Sequence, residues 1–195
     1  MLKRWGSSTS KFALHCSVAA LAVALAGCAV GPDYVRPEFK TPENYITYVT
    51  ASDWALGRLE AQWLCETLGG KGNIVMLPGI AGSSVAEIRI KANEEVFSKF
   101  PDIKVLEKQY CDWNPATGKS VMAALIQKYG KDIDGVLADS ALQGYGAIEA
   151  YLDAGYKAGE IPPMTGGDVA RMYQLANQHD IKMCGIDYPT SMGIT

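Results

Sequence analysis

From residue 52 onward, apolar positions fall alternately into stripes of helical spacing and short continuous runs. Residues 53–68 place Leu56, Leu59, Trp63 and Leu68 at helical intervals and stop at Gly69-Gly70. Residues 73–77 form an apolar run between Gly72 and Pro78-Gly79, the pattern of a strand buried on both faces. Val85, Ile88, Ala92 and Val96 then recur at helical spacing, and Ser84 followed by Glu87 predicts a capping box opening that helix, which runs over 85–100. Pro101 breaks the chain. A strand is predicted over 103–106, extending toward 110, then a helix over 119–129 closed by Gly130. A strand over 135–138, a helix over 142–154 before Gly155, a strand over 162–166, a helix over 169–178 and a strand over 181–186 complete the pattern. The alternation predicts an α/β fold of three layers, α/β/α, with a mostly parallel sheet and right-handed crossovers.

In such a sheet the loops after the strands share one rim, where ligands bind. Those loops carry Ser83, Ser84 and Arg89, then Asp112-Trp113-Asn114, then Asp139 and Ser140, then Asp168, then Asp187 and Tyr188. One Arg, one Trp and several acids and hydroxyls suit a neutral polyhydroxyl ligand. Carboxylates accept from sugar hydroxyls, a guanidinium donates to them, and an indole packs on the C–H face of a ring. Each residue also has a plainer reading. Asp168 would cap the helix over 169–178, Trp113 would be a packing residue, Asp139 would begin a turn, and Arg89 would pair with Glu87 or Glu94 at the surface.

The segment Trp113-Asn114-Pro115-Ala116-Thr117-Gly118-Lys119-Ser120 ends in Gly-Lys-Ser between a predicted strand and helix, which offers a competing phosphate-loop reading. Trp113 stands where that motif needs its first glycine, and Pro115 lacks the backbone N–H a phosphate cradle uses.

Composition narrows the classes. The 195 residues are 48% hydrophobic and 20% charged, with a net charge of −3, and Lys3, Arg4 and Lys11 sit in a segment expected to be removed. The remainder is acidic, which argues against nucleic acid as partner. The two histidines, His15 and His179, cannot furnish a multi-histidine metal site, and no G-x-S-x-G elbow accompanies them. No metal and no cofactor is expected. Cys65, Cys111 and Cys184 are scattered without a C-x-x-C and read as buried or half-buried thiols.

Residues 1–27 resemble a bacterial lipoprotein signal: a positive start, an apolar run over 12–26 too short to span a bilayer, and Leu25-Ala26-Gly27-Cys28. The resemblance implies cleavage before Cys28 and acylation of its thiol, anchoring the chain to a membrane; Ala29 favours the outer membrane. Residues 28–45 (CAVGPDYVRPEFKTPENY) resemble the start of outer-membrane lipoprotein channels of tripartite efflux pumps. Residues 28–50 are read as an extended, Pro-rich tether, leaving 51–195 as the folded domain.

Within that domain, ASDWALGR, GKGNIVMLPGIAGSSVAEIR, YCDWNPATGKSVMAALI, DIDGVLADSALQGYGAIEAYLDAG, TGGD and IDYPTSMG occur in an order that resembles the carboxy-terminal lobe of type I periplasmic binding proteins. Those proteins are the sugar-binding, non-enzymatic subunits of ABC importers. The resemblance implies a monosaccharide-like ligand, an ABC permease as partner, and ligand contacts at Arg89, Asp112, Trp113, Asp139 or Ser140, Asp168 and Asp187. It also implies that an amino-terminal lobe, the final helix and the strand recrossing the hinge are absent, so that one lobe offers half of a binding site. A second reading is a fusion fragment whose working part is the export signal alone.

Overall fold

The computed structural model describes residues 51–167 and 169–186. The signal, Cys28, the tether, Asp168 and Asp187 lie outside the described residues. The elements run α1 (Asp53–Thr67), β1 (Lys71–Leu77), α2 (Ser84–Phe97), β2 (Asp102–Lys108), α3 (Pro115–Tyr129), β3 (Gly135–Ala138), α4 (Ala141–Asp153), β4 (Met164–Gly166), α5 (Ala170–Gln178) and β5 (Met183–Gly185), with a short 3-10 turn, Gly130–Asp132, after α3. The strands form one five-stranded sheet in the order β2-β1-β3-β4-β5, and its four pairings are parallel. This is the predicted α/β/α arrangement.

Strand parity builds the two helical layers. Ile74 and Met76 of β1 and Leu137 of β3 pack with Ala61, Leu64, Cys65 and Val96 of α1 and α2. Val75 and Leu77, with Val136 and Ala138, point the other way into a larger core with Met122, Leu125, Ile148, Tyr151, Met172 and Leu175 of α3, α4 and α5. The residues of β1 and β3 in these cores are at most 2% exposed, which is why the sequence shows continuous apolar runs there.

Two helix starts differ from expectation. The N-cap of α2 is Ser83, without a side-chain capping bond, so Ser84 and Glu87 form no capping box. Glu87 instead accepts from the Tyr110 hydroxyl at 2.8 Å. Helix α3 begins at Pro115, four residues before the predicted start, because Asn114 caps it: its Oδ1 accepts from Ala116 N at 2.8 Å and Thr117 N at 3.2 Å. Pro at the first helical position needs no hydrogen bond from its nitrogen.

That start removes the phosphate-loop reading. Gly118, Lys119 and Ser120 lie inside α3, where backbone N–H groups are spent on the helix, and Gly118 N donates to Asn114 O at 2.9 Å. Lys119 Nζ sits 2.7 Å from Asp153 and 3.9 Å from Glu149 on α4. Gly118 is a packing glycine: a Cβ there would stand 2.7 Å from the Gln143 backbone, and one on Gly146 would stand 2.2 Å from Pro115 O. The two glycines let α3 and α4 cross with their backbones nearly touching.

The cysteines behave as inert thiols. Cys65 and Cys111 are buried and Cys184 is half-buried, all three free. Burial pushes Cys65 and Cys184 up to about 11 and Cys111 up to about 12. Among the described residues, no group of three or more His, Cys, Asp or Glu side chains could hold a metal, and no helix is long and apolar enough to cross a membrane.

Candidate functional site

The carboxyl ends of β2, β1 and β3 lie side by side, and their loops converge on Asp139. The chain leaves β1 through Pro78 and Gly79, both buried. The parallel pairing of β1 with β2 continues past the strand ends, with Cys111 N donating to Pro78 O at 2.8 Å and Asp112 N to Gly79 O at 3.1 Å. Asp112 and Trp113 then turn the chain with φ of 55° and 47°, the left-handed region that non-glycine residues seldom occupy. Two such residues in succession store strain, and the bonds from β1 on one side and the Asn114 cap on the other hold it.

The turn delivers the half-buried Trp113 indole onto Gly79. A Cβ on Gly79 would stand 2.1 Å from the ring, so only glycine leaves room for the indole. The edge of the ring donates from Nε1 to Asp139 Oδ1 at 3.1 Å. Gly79 N donates to Asp139 Oδ2 at 3.0 Å, and Gln143 Nε2 donates to Asp139 Oδ1 and, at 3.1 Å, to Leu77 O. Asp139 is 4% exposed. Burial pushes its carboxyl above the usual range, against the opposing pull of Arg89 and the three donors. The chain does bend at Asp139 and Ser140, as the plainer reading had it, but the Asp139 side chain is buried there.

Arg89 is buried rather than spread over the rim. It is 5% exposed. Its Nε and Nη2 donate to Asp53 Oδ1 at 3.0 and 2.9 Å, and Nη1 donates to the Asp139 backbone oxygen at 2.5 Å. Neither Glu87 nor Glu94, the expected surface partners, holds it. The pairing with Asp53 follows from helix packing: a Cβ on Gly57 would lie 2.8 Å from Arg89 O, so α1 and α2 approach closely there. Asp53 stands one turn earlier on α1, on the same face as Gly57.

Of the residues named from sequence, Arg89, Trp113 and Asp139 meet in one network. Asp112 is exposed beside it. Ser140 is the N-cap of α4, its Oγ accepting from Leu142 N at 3.3 Å. Asp168 and Asp187 lie outside the described residues; the N-cap of α5 is Val169, one position beyond the expected Asp168. Sequence reasoning missed Asp53, Gly79 and Gln143. Gln143 had a local signal, since it stands four residues after Asp139, whereas Asp53 is 36 residues from Arg89.

Comparison with known proteins gives the arrangement its context. The periplasmic binding protein domain matches residues 34–195. The xylitol-binding protein of Mycolicibacterium smegmatis is 41% identical over 107 residues, covering 55% of this chain and 31% of that protein. The galactofuranose-binding protein of Escherichia coli is 36% identical over 126 residues, covering 63% and 40%. Among solved structures, a galactofuranose-binding protein superposes with a TM-score of 0.67 at 33% identity, covering 74% of this chain and 50% of the other. A solute-binding protein from Actinobacillus succinogenes with bound D-allose gives 0.62 at 29% identity, covering 69% and 47%. The chain thus spans less than half the length of these two curated relatives, which are named as binding proteins and not as enzymes. Sheet order, rim geometry and these matches together make the chain a member of the periplasmic binding protein family, among relatives that bind sugars and sugar alcohols.

Proposed function

We propose that the lobe is one wall of a sugar-binding cleft in the receptor of an ABC-type carbohydrate importer, binding without catalysis. The observation that supports this best is the half-buried Trp113 ring at the sheet rim, braced by Gly79 and Asp139 rather than lost in the core. An indole so held offers a face to the C–H side of a sugar ring. In this reading Arg89 forms the polar floor, while Asp112, Asp168 and Asp187 accept from hydroxyls around the edge; Ser140 contributes chiefly as the α4 cap. A complete cleft buries most of a small ligand, and one wall does not. Titration of the full chain with pentoses, hexoses and deoxysugars, followed by Trp fluorescence, is expected to saturate with a Kd on the order of 1 mM. Trp113→Ala is expected to lose binding when the same titration is followed by calorimetry, which does not need the indole as reporter. A folded chain silent toward every sugar overturns the proposal and favours the fusion-fragment reading.

The same proposal places residues 1–27 as a lipoprotein signal, Cys28 as the acylated residue and 28–50 as a tether to the periplasmic side of the envelope, the outer membrane being favoured. The domain over 51–195 would meet an ABC permease once a complete receptor is formed. Metabolic labelling with a fatty acid is expected to mark the wild type and leave Cys28→Ser unmarked. Undiminished labelling of that variant would refute the anchor.

A further inference from the structure

Asp139 lies at the rim by topology, yet its carboxylate is turned to the protein. Oδ2 accepts from Gly79 N at 3.0 Å, and Oδ1 accepts from Trp113 Nε1 at 3.1 Å and from Gln143 Nε2. With three protein donors and 4% exposure, little of it is left for a sugar hydroxyl. Arg89 does not compete for the carboxylate, because it donates to the Asp139 backbone oxygen and to Asp53. The Trp113 ring meets a second restraint in the bare Cα of Gly79 and a third in the left-handed turn that carries it.

We infer that Asp139 is a positioning residue, whose carboxylate, itself clamped by Gly79 and Gln143, fixes the rotation of the Trp113 indole so that its ring face, not the carboxylate, meets the ligand. The ligand half of this statement rests on the sugar-cleft proposal; the restraint on the indole does not. A ring oriented before binding leaves less rotamer freedom to be lost on binding. Gly79 and Gln143 become determinants of the site although neither is placed to touch a sugar. The position needs acceptors on both sides: Oδ1 receives the Trp113 and Gln143 protons and Oδ2 the Gly79 proton, whereas an isosteric hydrocarbon receives none.

The test uses no sugar, so its failure is separate from failure of the sugar reading. The chain has four tryptophans, at 5, 54, 63 and 113, whose indole N–H signals are resolved by NMR and assigned with Trp→Phe variants. In the full chain, the Trp113 indole proton is expected to exchange with solvent at least about tenfold more slowly than a freely exposed indole. Trp54, which is 40% exposed, serves as the internal reference. Asp139→Leu should bring Trp113 to within about threefold of Trp54. Fast exchange of Trp113 in the wild type overturns the inference, as does undiminished protection in folded Asp139→Leu. If Asp139→Leu fails to fold, the wild-type exchange rate of Trp113 decides alone.

Discussion

Arg89→Ala is expected to destabilise the domain by about 3–5 kcal/mol, the range seen when one partner of a buried ion pair is removed. Total stabilities of domains are on the order of 5–15 kcal/mol, so this change can consume most of it. The side chains of Arg89 and Asp53 are 6% and 12% exposed, and they sit 2.9 Å apart. Alanine leaves the Asp53 carboxylate with one fewer partner in a shielded place and takes the Nη1 donor from the Asp139 carbonyl. Lysine keeps the charge but cannot span Asp53 and Asp139 with a planar fork, so Arg89→Lys should recover only part of the loss. Urea unfolding with an unchanged slope measures both. A midpoint for Arg89→Ala within error of the wild type would show that the pair contributes nothing. The consequence for binding experiments is direct: a lost sugar response in Arg89→Ala reports unfolding as readily as a lost contact, which is why Trp113 is the better probe of the cleft.

Tyr151 offers the second large effect, with two substitutions of opposite sign. Its ring is fully buried in the core of α3, α4 and α5, edge-on to Tyr156 with centroids 4.9 Å apart. Its hydroxyl has no hydrogen-bond partner among the described residues. Tyr151→Ala should cost about 3–5 kcal/mol through the lost burial and the cavity left behind. Tyr151→Phe keeps the ring and removes the orphaned hydroxyl, so it should leave stability unchanged or raise it by about 1 kcal/mol. Burial, with Tyr156 nearby, pushes the phenol above its ordinary value of 10.0. The folded state therefore holds this proton where the unfolded state releases it, and stability falls as pH rises above 10.0. Tyr151→Phe should remove that part of the alkaline decline. A destabilised Tyr151→Phe would mean that the hydroxyl has a partner after all.

How much of this was legible depended on how local the cause was. The runs that became β1 and β3 were plain because both faces of each strand are covered, one by α1 and α2 and the other by α3, α4 and α5. The start of α3 was misplaced because Gly118 looked like loop chemistry, when its lack of a side chain serves the approach of α4. Asn114 followed by Pro115 was the true signal: a capping side chain and a residue suited to the first turn. The Ser84–Glu87 pattern had the right spacing for a cap, but the helix begins one residue earlier in register and Glu87 answers to Tyr110. Arg89, Trp113 and Asp139 could be placed on one rim from strand order. Their mutual bonds could not, since the partners lie 26 to 50 residues apart and depend on the crossing of α1 with α2 and on the bend at Asp112.

The order of the strands has a mechanical consequence. Among the described residues, the groups that brace Trp113 hang from the trio β2-β1-β3 and from the helix ends beside it, whereas β3 and β4 share a single registered pair, Val136 with Met164. Beyond the backbone, Thr165 Oγ1 donates to Ala138 O at 2.8 Å and Met164 shares the core of α3 and α4, so side chains rather than a long ladder bind the outer strands to β3. Loss of the β5 edge would thus be felt at Ala138, the residue before Asp139, through Thr165 and the shared core rather than along a continuous ladder.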